Sequence, residues 1–246
     1  MLGWRIFKHA LNMIFNDFGT ALRVSSPIIA VSLFGVVLFI VKGPEYVIGG
    51  QGQFRGVLLL GLLSYIATLW VAVSWHRYCL LEEYPEKTIP DFNVSRILGY
   101  FGWGLSLGLI LLGMVALLFG VVYAAGGFTG GSLSLFGGAL LVVGLIFMIW
   151  VTQRLSLVLP ASAVGKPIRF DDSWRATRPI ATAILIVFLF LGAFGFAIGL
   201  VAGFLGFFSA LLGYALQAIV NWMIAMVSLS VLTTMYGVCV EKRELA

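Results

Sequence analysis

Charge is what this chain has least of: only 10% of its 246 residues are Asp, Glu, Lys or Arg, where soluble domains carry about 25%. So little charge excludes an ordinary soluble domain. With 61% hydrophobic residues and a mean hydropathy of +1.07, the chain reads as an integral membrane protein. Acidic residues are scarcer still, and none of the ten falls inside a long apolar run, which removes the machinery for ion-coupled transport by a carboxylate relay. Histidine occurs only at His9 and His76, and a single cysteine, Cys79, three positions after His76 is too small a ligand set, so neither a metal nor a cofactor is expected. The glycine pairs at 126–127 and 130–131 lack the strand and the basic residue of a phosphate loop and read as flexible linker. Two cysteines, Cys79 and Cys239, are expected as free thiols in a reducing compartment.

What the chain does have is six apolar runs, at about 27–41, 56–75, 98–122, 139–155, 179–200 and 217–238. Each is close to the roughly 20 residues that cross a bilayer as a helix. The fold class expected is therefore all-α: one polytopic domain of six transmembrane helices. The first run is short, and its ends are the hardest to place. The fourth keeps its apolar character past Arg154, so its helix is expected to protrude as far as Pro160. Ahead of them, residues 1–23 carry Trp4, Phe7, Leu11, Ile14, Phe15, Phe18 and Leu22 at spacings of three, four and seven. That pattern predicts an amphipathic helix lying in the head-group plane or packed on the protein's own face. No apolar core or cleavage site of a signal peptide interrupts it, so the N-terminus is expected to stay attached.

Thirteen of the fifteen basic residues fall on one side of this arrangement, leaving Lys42 and Arg55 on the other. The positive-inside bias then puts both termini in the cytoplasm. The net charge of +5 would suggest nucleic acid in a soluble protein. Here the basic residues sit at span ends, where they set topology and attract anionic head groups, so the expected partner is the lipid bilayer and not nucleic acid. The connections at 42–55 and 124–138 are glycine-rich and expected to be irregular outer loops. Similar tetrapeptides at Trp4, Ser95 and Ser173 precede the three pairs of spans, which suggests three copies of a surface helix plus a hairpin.

The most charged interruption, Arg154 to Arg178, carries Arg154, Lys166, Arg169, Arg175 and Arg178. Asp171 and Asp172 within it read as caps for the helix that follows, with Asp171 four positions before Arg175. A proline, an alanine-rich exit and then an S-W-R-A-T-R helix, carried by Pro160, Ala163, Gly165, Ser173 and Thr177, resemble a broad group of six-span bacterial inner-membrane proteins. That group includes the YciC-like proteins and the membrane region attached to some glycerophosphodiester phosphodiesterases. The resemblance implies the fold and an inner-membrane location; the phosphodiesterase module has no counterpart here.

Three residues are candidate anion or lipid contacts. Arg154 is either a mid-bilayer cation needing a partner anion or an arginine snorkelling to the head groups. His76 and Arg77 are either a proton-transfer or phosphate site or a topology anchor at the interface. Within the spans the polar groups are Ser64, Thr68, Asn221, Ser228, Ser230, Thr233 and Thr234, which line a cavity or bond helix to helix. Gly195, Gly199 and Gly203 form two overlapping GxxxG units suited to close helix packing. Two functions follow as expectations. One is a non-enzymatic inner-membrane protein of envelope upkeep or complex assembly, with a membrane-protein partner or a second copy of itself. The other is a small-molecule or lipid permease with a hydroxyl-lined interior.

Overall fold

The structure, a computed structural model, describes residues 1–49, 54–85, 88–129 and 132–244. Glu86, Lys87, Gly130 and Gly131, together with residues 50–53 of the 42–55 connection and residues 245–246 of the tail, lie outside the described residues. The chain is all-α and polytopic. Its helices are α1 (Leu2–Phe15), α2 (Phe18–Val24), α3 (Ser26–Lys42), α4 (Pro44–Ile48), α5 (Phe54–Leu81), α6 (Val94–Ala124), α7 (Leu135–Leu155), α8 (Val158–Ala163), α9 (Phe170–Ala176), α10 (Ala181–Gly206) and α11 (Ala210–Cys239). Five stretches, α5, α6, α7 with α8, Arg178–Gly206 and α11, are long and apolar enough to cross a membrane. A sixth is reached only if α2 and α3, bent by 68° at Ser25, are counted together.

Local chemistry explains where the helices break. The amphipathic segment expected as one helix is two, because Asp17 ends the first and caps the second. Its side chain accepts from the Thr20 amide at 3.2 Å and from the Tyr78 hydroxyl at 2.9 Å. Its buried stripe is Ile6, Phe7, Ala10 and Ile14, packed on α10 and α11, while Trp4, Phe15, Phe18 and Leu22 stay exposed. The fourth span continues past Arg154, through α7 and α8 to Ala163, but not as one uninterrupted helix. It breaks at Ser156 and Leu157, and the turns that follow are enclosed, with Leu157, Val158, Pro160, Ala161 and Ala163 all buried. Gly165, at φ +81°, ends this segment in the left-handed region, and the Lys166 amide closes back on the Ala161 carbonyl at 2.9 Å. A side chain at Gly165 would also meet the Arg96 guanidinium.

The distal loops are more ordered than expected. The 42–55 connection contains α4, whose Tyr46 lies against Gly56 so closely that a Cβ there has no room. In the 124–138 connection, β1 (Phe128–Thr129) and β2 (Ser132–Leu133) pair antiparallel. Gly127 and Gly137 approach backbone to backbone beneath them.

The spans form three hairpins, α3 with α5, α6 with α7, and α10 with α11. A surface segment precedes the first (α1 and α2) and the third (α9), whereas α6 starts directly at Val94. Both termini, α1, α8 and α9 gather at one end, called proximal here. The large apolar core is also there: Ile6, Val71, Trp75, Leu157, Ile184, Met226 and Tyr236 are all buried within it. Toward the distal tips the hairpins present Leu109, Leu117, Val143, Phe147, Phe196 and Leu200 outward, a surface suited to acyl chains, which are as apolar as the side chains they touch.

Candidate functional site

Arg154, at the end of α7, is buried (5% exposed) among the chain's own groups. Its guanidinium lies 3.5 Å from the Trp174 ring centroid and 4.9 Å from that of Trp150. Nε donates to Thr177 Oγ1 at 3.1 Å and Nη2 to the Trp174 carbonyl at 2.7 Å. In return the Ser173 hydroxyl donates to the Arg154 carbonyl at 2.6 Å, and Trp150 Nε1 to the Ala181 carbonyl at 2.9 Å. These bonds clasp α9 and the start of α10 to the end of α7. An anion reaches this guanidinium only if the clasp opens.

Helix α9 has its own electrostatic brace. Asp172 accepts from the Arg169 amide at 3.2 Å, and Arg175 pairs with Asp171 at 3.0 Å and Asp172 at 2.8 Å. The Arg175 hydrogen bond holds the Asp172 carboxyl below its ordinary range. A carboxylate depressed in the folded state stabilises above its unfolded value and loses that contribution as pH falls through the folded one. Acidification through about pH 4 is therefore expected to lower the amide hydrogen-exchange protection factors of α9, which correct for the intrinsic pH dependence of exchange, and Asp172→Asn to remove that change.

His76 lies inside α5 and is fully buried. Its Nδ1 is 2.8 Å from Thr233 Oγ1, and that hydroxyl already gives its proton to the Leu229 carbonyl at 2.7 Å. Thr233 must then accept, which fixes the proton on Nδ1 and leaves Nε2 as the acceptor facing the Tyr100 hydroxyl at 3.5 Å. Trp75 repeats the device one residue earlier, donating to Ser230 Oγ at 3.0 Å, which donates on to the Met226 carbonyl at 2.9 Å. Thr234 bonds the Ser230 carbonyl and Met13 Sδ. Ser230, Thr233 and Thr234 are thus helix-to-helix glue between α5, α11 and α1. Arg77 points elsewhere, pairing with Glu83 through Nε at 2.8 Å and donating to the Ala163 carbonyl at 3.2 Å. Arg154, His76 and Arg77 do not converge on one site.

Three of the other four polar residues of the spans do converge, Ser228 being outside the group. Ser64 and Thr68, four apart on α5, face Asn221 of α11 across a pocket of about 220 Å³ between α3, α5 and α11, with Ser32, Tyr214 and Gln217 completing the polar lining. Trp222 Nε1 donates to Ser25 Oγ at 2.8 Å and closes the proximal side. On the distal side Phe39 packs on Tyr214, 5.2 Å between ring centroids. The Tyr214 hydroxyl sits where Gly35 has no side chain, 2.5 Å from the position a Cβ would take. Sequence reasoning missed Ser32, Tyr214, Gln217 and Trp222. The four-residue spacing of Gln217 and Asn221, matching that of Ser64 and Thr68, was the available signal.

Of the GxxxG glycines, Gly195 alone meets a neighbour, Ile224 of α11, 3.3 Å from its Cβ position; nothing described lies within 4 Å at Gly199 or Gly203. The close backbone approach within the hairpin is instead between Gly206 and Gly213 at its tip. Among the described residues no group of three or more His, Cys, Asp or Glu is placed to hold a metal ion. Comparison with protein-family models, curated proteins and solved structures returns no match.

Proposed function

We propose that this chain is a non-enzymatic protein of the bacterial inner membrane, both termini cytoplasmic, that acts as a packing partner in assembling or maintaining an envelope complex. The observation that carries the reading is the uneven packing of the spans. The most apolar windows of α5 and α11 are 33% buried within the chain, whereas those of α6, of α7 with α8, and of α10 are only 11% buried. On α10 the unoccupied positions of Gly199 and Gly203 lie side by side, the type of surface on which a second helix packs closely in a membrane. The orientation rests on the basic residues, most of which gather at the proximal end with α1 and α9, Lys42 and Arg55 lying at the other. The likeness to six-span inner-membrane proteins belongs to the same reading. Ser173 and Thr177, two of the residues that carry it, serve as the hydroxyls of the Arg154 clasp, a structural use that needs no chemistry.

The test is co-purification in mild detergent. A stoichiometric partner, or a second copy of the chain, is expected with the native protein and lost with Gly199→Leu, which has open space for its side chain and leaves the fold intact. Absence of any partner would count against assembly. The competing permease reading has the polar pocket in its favour. It requires solute or lipid to move across liposomes faster than in protein-free controls.

A further inference from the structure

We infer that the pocket between α3, α5 and α11 is a binding site for an uncharged, hydroxyl-bearing ligand, the glycerol portion of a neutral lipid or a free polyol of similar size. The site is independent of the assembly reading.

Its depth is the first argument. Asn221 lies about 16 Å from the Ala210 end of a helix about 45 Å long, 30 residues at roughly 1.5 Å each, and Thr68 lies near the middle of the 28-residue α5. Polar groups there sit where the bilayer supplies no water, and leaving them unpaired is strongly unfavourable. Yet several are uncommitted. Gln217 Nε2 donates to Asn221 Oδ1 at 2.9 Å, which leaves one carbonyl oxygen and one NH₂ free, whichever way the two amides are turned. Thr68 gives its proton to the Ser64 carbonyl at 2.7 Å and keeps its lone pairs. The hydroxyls of Ser32, Ser64 and Tyr214 make no hydrogen bond among the described residues. This contrasts with Ser230, Thr233 and Thr234, whose hydroxyls are all engaged in the core.

The lining defines the ligand. No Asp, Glu, Lys, Arg or His contributes to it, so a charged group would enter hydrocarbon depth without a counter-ion and is excluded. Donors and acceptors alternate over short distances, which suits hydroxyls because each both gives and accepts a proton. A volume of about 220 Å³ equals the share of roughly seven waters and falls below the roughly 300–1,000 Å³ of sites for drug-sized molecules. A glycerol unit or a single sugar ring fits; a whole lipid does not, and its chains would lie outside. Ser64, Thr68, Gln217 and Asn221 are all exposed in the chain, so the mouth opens sideways toward the bilayer. Trp222 and Tyr214 give the site broad apolar walls with polar tips.

The test uses the full chain in phosphatidylcholine nanodiscs, with ligand binding read by native mass spectrometry against monooleoylglycerol, methyl oleate and free glycerol. One monooleoylglycerol is expected per chain, with methyl oleate, which has the same acyl chain and no hydroxyl, at least tenfold weaker. Asn221→Leu with Gln217→Leu is expected to weaken monooleoylglycerol binding on the order of tenfold or more. Binding of glycerol with no preference for the monoglyceride would assign the site to a free polyol. Equal binding of methyl oleate overturns the inference, as does no binding of either hydroxylated probe. The comparison of probes on the native chain stands even if the double variant fails to fold. Ser64→Val, a smaller change on a different helix, is expected to weaken binding in the same direction.

Discussion

Arg154→Ala is expected to lower the thermal midpoint of the detergent-solubilised protein by about 10 °C and to open α9 to trypsin at the exposed Arg169 and Arg175. The substitution removes two hydrogen bonds from a charged donor, each contributing about 1.5–3 kcal/mol when buried. It also removes a guanidinium placed over Trp174 and beside Trp150, worth about 0.5–2 kcal/mol more. Water entering the vacated space returns part of that, so a net loss of about 3–5 kcal/mol is the expectation. At roughly 2–4 °C per kcal/mol for a chain of this size, the midpoint moves by the stated amount. Arg154→Lys is the sharper probe. An arginine whose task is to reach lipid head groups is replaced by lysine at little cost, since both snorkel. A guanidinium lying flat against an indole while donating to Thr177 and the Trp174 carbonyl has no equivalent in an ammonium. Lysine is therefore expected to recover less than half of the lost stability. Full recovery would mean that the clasp is not what holds α9 in place.

The fate of Arg154 marks the boundary between what was legible in the sequence and what was not. Five of the spans could be read because hydropathy is additive along a helix, and a run of twenty apolar residues has one physical outcome in lipid; the short first run reaches that length only with α2 counted across the bend at Ser25. Arg154 could not be placed from its own neighbourhood, since its partners Trp174 and Thr177 lie some twenty positions on, across a helix break. The break of the first segment at Asp17 has a local cap in the Thr20 amide, but its second partner, Tyr78, lies sixty-one positions away. Glycine was misleading for a related reason. The regular spacing of Gly195, Gly199 and Gly203 advertises a packing face, but the partner is decided by what lies opposite, and among the described residues only Ile224 does. The irregular glycines at 127, 137, 206 and 213 make the backbone contacts instead. The polar residues of the spans were visible as a set, and their division was not. Ser230, Thr233 and Thr234 fall at the proximal end of α11, where the core encloses them, and Asn221 two to three turns earlier, where the hairpins part.

His76 and Thr233 provide the most discriminating test of that division. Each single substitution is expected to be costly and the pair much less so. His76→Phe keeps an aromatic ring in a fully buried position but withdraws the donor from Thr233 Oγ1 and the acceptor from the Tyr100 hydroxyl. A buried polar group left without its partner costs about 1–3 kcal/mol, and the altered ring shape adds a packing penalty. Thr233→Val preserves shape and leaves His76 Nδ1–H with nowhere to donate. Combining the two removes both ends of the bond together, and replacing both partners with apolar groups of similar shape is close to neutral. The double variant is therefore expected to be more stable than the sum of the single losses predicts, by about 1 kcal/mol or more, which is the coupling a double-mutant cycle isolates. Denaturant or thermal unfolding of the four proteins in one detergent measures it. Strict additivity would mean that the 2.8 Å contact contributes nothing of its own and that His76 is held by ring packing alone. The histidine would then be free to serve another purpose, and its place among the helix-bonding residues would be lost.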